Sequence, residues 1–193
     1  MFRVLHSDPA SIGSLGADIR ALRKSRGLTL TQLAVALGRS VGWLSQVERD
    51  KSDPSISDLR MIAQALGVQM SLLFAHTSAL ADEQGYVVRA GARRPMGSGD
   101  EGLIEELLSP DLTDDFEVIH STFEPRSKMQ APAFRPTQEL GYVVSGKLDL
   151  TIGGRRFTVA RGDSFRIRNE LHEWANPYDE PATAIWVIAP PVY

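Results

Sequence analysis

The stretch from Thr29 to Lys51, TLTQLAVALGRSVGWLSQVERDK, constrains the fold more than any other part of the chain. Its spacing predicts two short helices joined by a tight turn. Thr29 is placed to cap the first helix, with Gln32 three residues on to complete a capping box. Leu33, Ala34 and Leu37 give that helix one apolar stripe. Gly38 stands where the chain leaves the helix, a position that favours a residue tolerant of positive φ. Ser40 is placed to cap the second helix. Leu44 and Val47 of that helix point inward, while Val41, Gly42, Ser45, Gln46 and Arg49 point outward. An ordinary helical hairpin satisfies the same periodicity. A second helix with an exposed polar face is also the layout of a helix-turn-helix that reads the major groove of DNA.

The flanking sequence weighs toward the second reading. LGADIRALRKSRGLTLTQLAVALGRSVGWLSQVERDKSDPSISDLRMIAQALGVQMSLLF resembles the phage-repressor-like (XRE-type) helix-turn-helix family along its length, through LRKSRGLT, QLA, LSQVER, PSISDL and IAQALGV. The resemblance implies a DNA-binding domain over residues 12–75. Leu15, Ile19 and Leu22 fall at helical spacing before the motif. Ile56, Leu59, Ile62, Ala63 and Leu66 form a stripe after it, and residues 71–74 are expected as a short fifth helix. Arg20, Arg23, Lys24 and Arg26 gather near the end of the first helix, where they suit either the helix dipole or a phosphate backbone. Met1 to Ile12 has no clear period and reads as a loosely held arm.

On this layout Val41, Gly42, Ser45 and Gln46 are the candidates for base-edge contact. The Gln46 amide is suited to adenine, donating to N7 and accepting from N6. Thr31, Arg39, Ser40, Arg49 and Lys51 are the candidates for phosphate contact. Trp43 packs either on a sugar-phosphate strand or inside the fold. Glu48 and Arg49 have an alternative use as an internal pairing with Arg20. One recognition helix spans only a few base pairs, so a homodimer on palindromic double-stranded operator DNA is expected.

Composition bounds the remainder. A chain of 193 residues holds one large or two small domains. It has no cysteine, which excludes a disulfide framework, thiolate chemistry and Cys-ligated zinc. No apolar run approaches membrane-spanning length and the first residues lack a signal peptide's apolar core, so a cytoplasmic protein without a membrane partner is expected. The net charge of -3 conceals an asymmetry: residues 1–75 carry nine Lys/Arg against six Asp/Glu, and residues 76–193 carry twelve against eighteen. The N-terminal part is the one suited to a polyanion.

After Ala75 helical periodicity stops. Residues 76–86, with HTSALADEQG, read as a linker. Residues 87–193 then show short strands: 118–123, 141–144, the alternation of Leu148, Leu150 and Ile152, a Gly153-Gly154 hairpin turn, Phe157 with Val159, Phe165 with Ile167, and 184–189. Strands of this length and spacing predict a small all-β barrel or sandwich. ELGYVVSGKLDLTIGGRRFTVARGDSFRIRNELHEWANP is similar to the cupin family: Glu139 and Gly146 match the end of its first motif, Gly162-Asp163 opens the second, and His172 and Asn176 close it. The resemblance implies a double-stranded β-helix barrel with a central pocket, pairing through the barrels. It makes the chain an α + β two-domain regulator, with a five-helix repressor-like bundle and a cupin sensor.

The departures from the cupin pattern bear on chemistry. Metal-binding cupins carry histidines six and four residues before the glutamate, where this chain has Ala133 and Arg135. Of the usual ligands Glu139 and His172 remain, so no metal cofactor is expected; one that did bind would use those two. Arg135 either pairs with Glu139 or grips the carboxylate or phosphate of an effector, with Glu139 free to take an amine. Phe123, Met129, Tyr142, His172, Trp174 and Trp186 are the candidates for the pocket's walls and polar tips. The reading is a non-enzymatic transcription regulator with an anionic small-molecule effector. Two alternatives stand beside it: a catalytic cupin using Glu139 and His172 as an acid/base pair or a bound metal, and a constitutive repressor whose barrel is only structural.

Overall fold

The computed structural model describes residues 14–73, 83, 85–96, 101–110 and 112–192. The expected N-terminal arm and most of the expected linker lie outside the described residues. The chain divides into two compact units. The first takes in the described residues up to Arg93 together with Pro110–Asp114; the second comprises Arg94–Ser109 and Asp115–Val192. The β-rich unit therefore starts at Arg94 rather than 87, because residues 85–93 form turns and a short 3-10 segment instead of strand.

The first unit contains four α-helices: α1 (Leu15–Ser25), α2 (Leu30–Ala36), α3 (Val41–Val47) and α4 (Ile56–Leu66). Each starts at a side-chain cap, from Ser14, Thr29, Ser40 and Ser55 respectively. The Thr29–Gln32 capping box is present, and Ser55 with Asp58 forms a second one. Such caps satisfy amide donors that the helix itself leaves unpaired, each contributing about 1 kcal/mol. Ile19, Leu22, Leu33, Ala34, Leu44, Val47, Ile62 and Leu66 form a fully buried core. Within it Arg23 donates through Nε and Nη2 to both carboxylate oxygens of Glu48 (2.6 and 2.9 Å) and through Nη1 to the Leu28 carbonyl. Asp50 closes the bundle from the end of α3, accepting from the Gly16 amide (2.8 Å) and the Ser14 hydroxyl (2.5 Å). A side chain on Gly16 would collide with the Val47 carbonyl, so α1 and the end of α3 meet backbone to backbone.

Two expectations for this unit are corrected. The fifth helix is a single 3-10 turn, Met70–Leu73, closed by the Leu72 amide donating to the Gln69 carbonyl three residues back at 3.0 Å; position 74 lies outside the described residues. Ile56 is 64 % exposed, so the buried stripe of α4 starts at Leu59. The first turn of α4 is given over to the polar cap between Ser55 and Asp58.

The second unit is a pair of antiparallel sheets. Ten strands are described: β1 (Arg94–Met96), β2 (Leu103–Leu107), β3 (Glu117–Phe123), β4 (Ser127–Lys128), β5 (Gln138–Ser145), β6 (Lys147–Ile152), β7 (Arg155–Ala160), β8 (Ser164–Arg168), β9 (His172–Asn176) and β10 (Ala182–Ala189). One sheet runs β1-β2-β3-β10-β5-β8 and the other β4-β9-β6-β7. Strict alternation sends Glu139, Gly141 and Val143 of β5 inward together with Glu117, Ile119, Ser121 and Phe123 of β3. Leu148, Leu150, His172 and Trp174 face them from the second sheet. Gly141 lies opposite Phe165 across β5 and β8, and any side chain there would collide with the Phe165 ring. The vacancy lets Phe165 pack edge-on against Trp186 at 4.9 Å between centroids. Gly153 and Gly154, both at positive φ, form the expected hairpin turn between β6 and β7.

Candidate nucleic-acid interface and barrel pocket

In the first unit, the turn between α2 and α3 sets the presentation of α3. Gly38 adopts φ +62°, as its position in the sequence requires, and Ser40 then caps α3 by accepting from the Trp43 amide at 3.1 Å. Leu44 and Val47 anchor the helix in the core. Thr31, Arg39, Ser40, Val41, Gly42, Gln46, Arg49 and Lys51 are all exposed, and Trp43 and Ser45 are half-buried. The inward and outward assignment from sequence agrees with the burial of these residues except at Ser45, read as outward but half-buried.

Several charged residues have narrower roles than the sequence allows. Arg23 is buried against Glu48, and Arg26 donates to the Leu66 carbonyl at 2.9 Å, so these two hold the bundle. Arg20 and Lys24 remain exposed. Glu48 pairs with Arg23 and not with Arg20; Arg49 bonds back to the Ser45 carbonyl at 2.9 Å. Arg39 is held by Asp58, with Nη2 2.6 Å from Oδ1, and its guanidinium lies 5.2 Å over the Trp43 ring. The hydrogen bond from Ser55, then those from Arg39, keep the Asp58 carboxyl below the usual carboxylate range against the opposing effect of burial. Arg39 and Trp43 therefore form one stacked, pre-oriented pair at the start of α3.

In the second unit, a cavity of ≈ 100 Å³ opens between the sheets. A water needs about 10–15 Å³ on this measure, so the space suits a small metabolite of several heavy atoms. Phe123, Met129, Trp174 and Trp186 form walls, and Arg135, Glu139 and His172 bring polar tips, as read from the sequence. Phe123 and Trp174 meet edge to face at 4.8 Å. Tyr142 does not join them: it is 48 % exposed on the outer face of β5. Glu139 and Tyr142 stand three apart in one strand and so project to opposite faces.

Leu103, Glu105, Leu150, Ile167, Glu173 and Ile188 complete the lining. Glu105 and Glu173 thus add two carboxyl groups to the lining beside Glu139. Glu105 shares the parity of the apolar Leu103 and Leu107 on β2, which puts it on their face of the strand. Glu139 accepts from the Thr137 hydroxyl at 2.7 Å and Glu105 from the Ser121 hydroxyl at 3.2 Å. His172 Nδ1 donates to the Glu170 carbonyl at 3.2 Å, which in the neutral ring leaves Nε2 as an acceptor. Arg135 makes no hydrogen bond or ion pair among the described residues, so the structural pairing with Glu139 does not occur.

Behind this lining lies Glu117, fully buried and level with Glu139 across Ile188 of β10. Its Oε1 accepts from the Val192 amide at 3.1 Å, while Oε2 has no hydrogen-bond partner. Burial pushes this carboxyl up to about 7; Glu105 and Glu139 add to the rise, and the Val192 amide and Arg135 oppose it. His120, on the outer row of β3, stands 3.7 Å from Glu106 and does not line the cavity. At the two positions where metal-binding cupins carry histidines, Ala133 has no donor and Arg135 brings a cation.

A helix-turn-helix unit joined to a barrel with a charged pocket defines a one-chain transcription regulator. This chain belongs to the XRE-type helix-turn-helix transcriptional regulators that carry a cupin domain. Residues 14–73 match the helix-turn-helix domain model and residues 119–188 the cupin domain model. The chain is 26 % identical over 165 residues to the HTH-type transcriptional regulator PuuR of Escherichia coli, covering 83 % of this chain and 86 % of that one. It is 32 % identical over 110 residues to the regulator DdrOP3 of Deinococcus deserti, covering 57 % and 80 %. An HTH_3 family transcriptional regulator from Vibrio cholerae of known structure is 24 % identical, with a TM-score of 0.44 over 96 % of this chain and 100 % of that one. Among the described residues no helix is long and apolar enough to cross a membrane.

Proposed function

We propose that this regulator is a cytoplasmic homodimer whose two α3 helices read a palindromic operator and whose barrel pockets bind a small-molecule effector. The observation that carries the sensor reading is Arg135: its guanidinium lies in a cavity walled by Phe123, Trp174 and Trp186 and makes no hydrogen bond or close ion pair among the described residues. An acid group on the effector would satisfy its planar fork bidentately. The pocket works without a metal, since the side chain at position 135 puts a cation where the ion of a metal-binding cupin would sit. Pairing of the barrels is supported by the outer face of β5 and β10. Leu140, Tyr142, Val144 and Val187 are exposed there in adjoining positions, an apolar row suited to a protein contact.

A thermal-shift screen of the metal-stripped protein tests the sensor. The panel holds divalent metals, amino acids, polyamines, organic acids and sugar phosphates. A ligand at about a hundred times its dissociation constant adds roughly 2.7 kcal/mol, which a melting curve resolves. The expected result is a rise with an acid-bearing metabolite in the absence of metal, abolished in Arg135→Ala. A rise with metals alone would overturn it. Glu139 and His172 line one cavity, which favours an acid/base enzyme as the second reading. Turnover of a stabilising compound would select that reading; binding without turnover selects the sensor.

A further inference from the structure

β7 and β8 follow one another in the chain but close different sheets, each hydrogen-bonded to a neighbouring strand on one side only. No backbone hydrogen bond outside the sheets reaches residues 155–159 or 164–167 among the described residues. Between the two edges lies a cleft of ≈ 550 Å³ that shares no residue with the central cavity. Phe157 marks the edge as uncovered. It has the parity of the buried Val159 and stands opposite the buried Leu150 of β6, yet it is 46 % exposed. An inward-parity phenylalanine left half open is what an edge strand without a further neighbour presents. Phe165 extends the apolar floor from β8, and Arg155 and Arg166 line the cleft from its two strands. Both arginines are exposed, and neither makes a hydrogen bond or ion pair among the described residues. Glu170 is the one carboxylate in this lining. Arg156 and Arg168 add two exposed cations to the same strands, in a half of the chain where acids outnumber bases eighteen to twelve.

We propose that the free edge of β7 takes up an extended acidic segment of a partner protein, added to the sheet as a further strand over the cleft. Backbone groups of the segment pair with the edge and give affinity, while its side chains at alternate positions give specificity. Arg155 and Phe157 lie two apart on one face of β7, so the segment needs an acidic residue two places from an aromatic or aliphatic one. Its carboxylates suit the planar forks of Arg155 and Arg166, and its apolar side chain covers Phe157. Charge decides against a second copy of this chain. Antiparallel pairing of β7 with its own counterpart about Phe157 would bring four guanidiniums onto one short ladder, and like charges on neighbouring strands repel. A nucleic-acid backbone would satisfy the arginines but leave Phe157 and the edge amides uncovered. An acidic strand uses all three.

The test is fluorescence anisotropy on the full chain with three labelled heptapeptides. Thr-Glu-Thr-Phe-Thr-Glu-Thr puts both glutamates and the phenylalanine on one face of a strand. Thr-Glu-Phe-Thr-Thr-Glu-Thr has the same composition but sends the phenylalanine to the other face, and Thr-Lys-Thr-Phe-Thr-Lys-Thr reverses the charge. The first is expected to bind and the other two to bind at least about tenfold more weakly. Arg155→Glu, Arg166→Glu and Phe157→Ser, all at solvent-facing side chains, should each weaken the first peptide by about tenfold. The double charge reversal should then favour the lysine peptide, a gain that misfolding cannot produce. N-methylation of every second amide in the first peptide should abolish binding in one of the two possible sets and be tolerated in the other. Equal binding of the two glutamate peptides, displaced by a random-sequence DNA oligonucleotide, would make the cleft a general polyanion site and overturn the proposal. So would a shift from dimer to monomer in Phe157→Ser on sedimentation, which would give the edge to a second copy. Failure of all three peptides to bind would overturn it as well.

Discussion

At Glu117 the barrel interior competes with water for a proton. Its carboxyl is pushed up to about 7 in the folded protein, against an ordinary value of about 4.3 in an unfolded chain. Below the unfolded value both states are protonated and the folded state suffers no penalty. As pH rises toward and through 7 the folded protein binds the proton more tightly than the unfolded chain does, and that advantage is lost. Stability should therefore fall by on the order of 3 kcal/mol between about pH 4 and 8 from this group alone. Urea denaturation at both ends of that window measures it, and Glu117→Gln should flatten the difference; equal slopes in both proteins would show that the carboxyl ionises normally. On the DNA side, Gln46→Ala should cost about 1–3 kcal/mol on one operator position and little on random DNA. Lys51→Ala should weaken all sequences alike and lower the salt slope by about 1. Gel-shift titrations over a salt series separate the two, and indistinguishable behaviour would remove α3 as the reader. Residue parity decides what could be read here in advance. The types around Arg135 pointed to a pocket, but Tyr142 belongs to the other face of the strand that carries Glu139. Glu105 sits on β2, in a stretch with too little alternation to announce a strand.

The helices were legible because their ends are written in local chemistry. Thr29, Gln32, Gly38 and Ser40 each act on backbone groups within four residues, so the turn and caps follow from short-range rules. β1, β2, β4 and β9 escaped because they are short and alternate weakly in sequence; β9 also finds its partner β6 some twenty residues back along the chain. The Glu48 partner was missed for the same reason, since its neighbour across the bundle is a full helix away at Arg23. That ion pair gives the reader's helices a specific arrangement. Both side chains are buried, and the pair is bidentate. Glu48→Ala should destabilise the helical unit by about 3–5 kcal/mol, because it leaves the Arg23 charge buried without a counter-charge. Replacing both partners with apolar residues of similar size should restore much of the loss. Thermal denaturation followed by circular dichroism at the helical band checks the series. A double replacement as unstable as Glu48→Ala would show that packing, and not the stranded charge, sets the cost.

At the scale of the whole molecule, operator recognition is a problem of effective concentration. A seven-residue α3 reaches few base edges, and a single reader would bind weakly and with little selectivity. Two readers held together convert the second docking into an intramolecular step, raising avidity by about 10²–10⁴ without any new contact. The barrel offers the surface for such pairing on β5 and β10, where Val187 lies opposite Leu140, and Tyr142 and Val144 continue the apolar row. A two-fold axis would place the same row on both subunits, and apolar side chains are self-complementary in a way that a single-sign charged patch is not. Under the proposed pairing Tyr142 would belong to the interface instead of the pocket wall, a role that its outward parity allows. Tyr142→Asp and Leu140→Glu should each leave the barrel fold and the response to pocket ligands intact, since neither side chain reaches the cavity. Sedimentation velocity should show a shift from dimer to monomer, and operator affinity should fall by at least about a hundredfold. A variant that stays dimeric and keeps its operator affinity would exclude this face and send the search for the two-fold axis elsewhere on the chain.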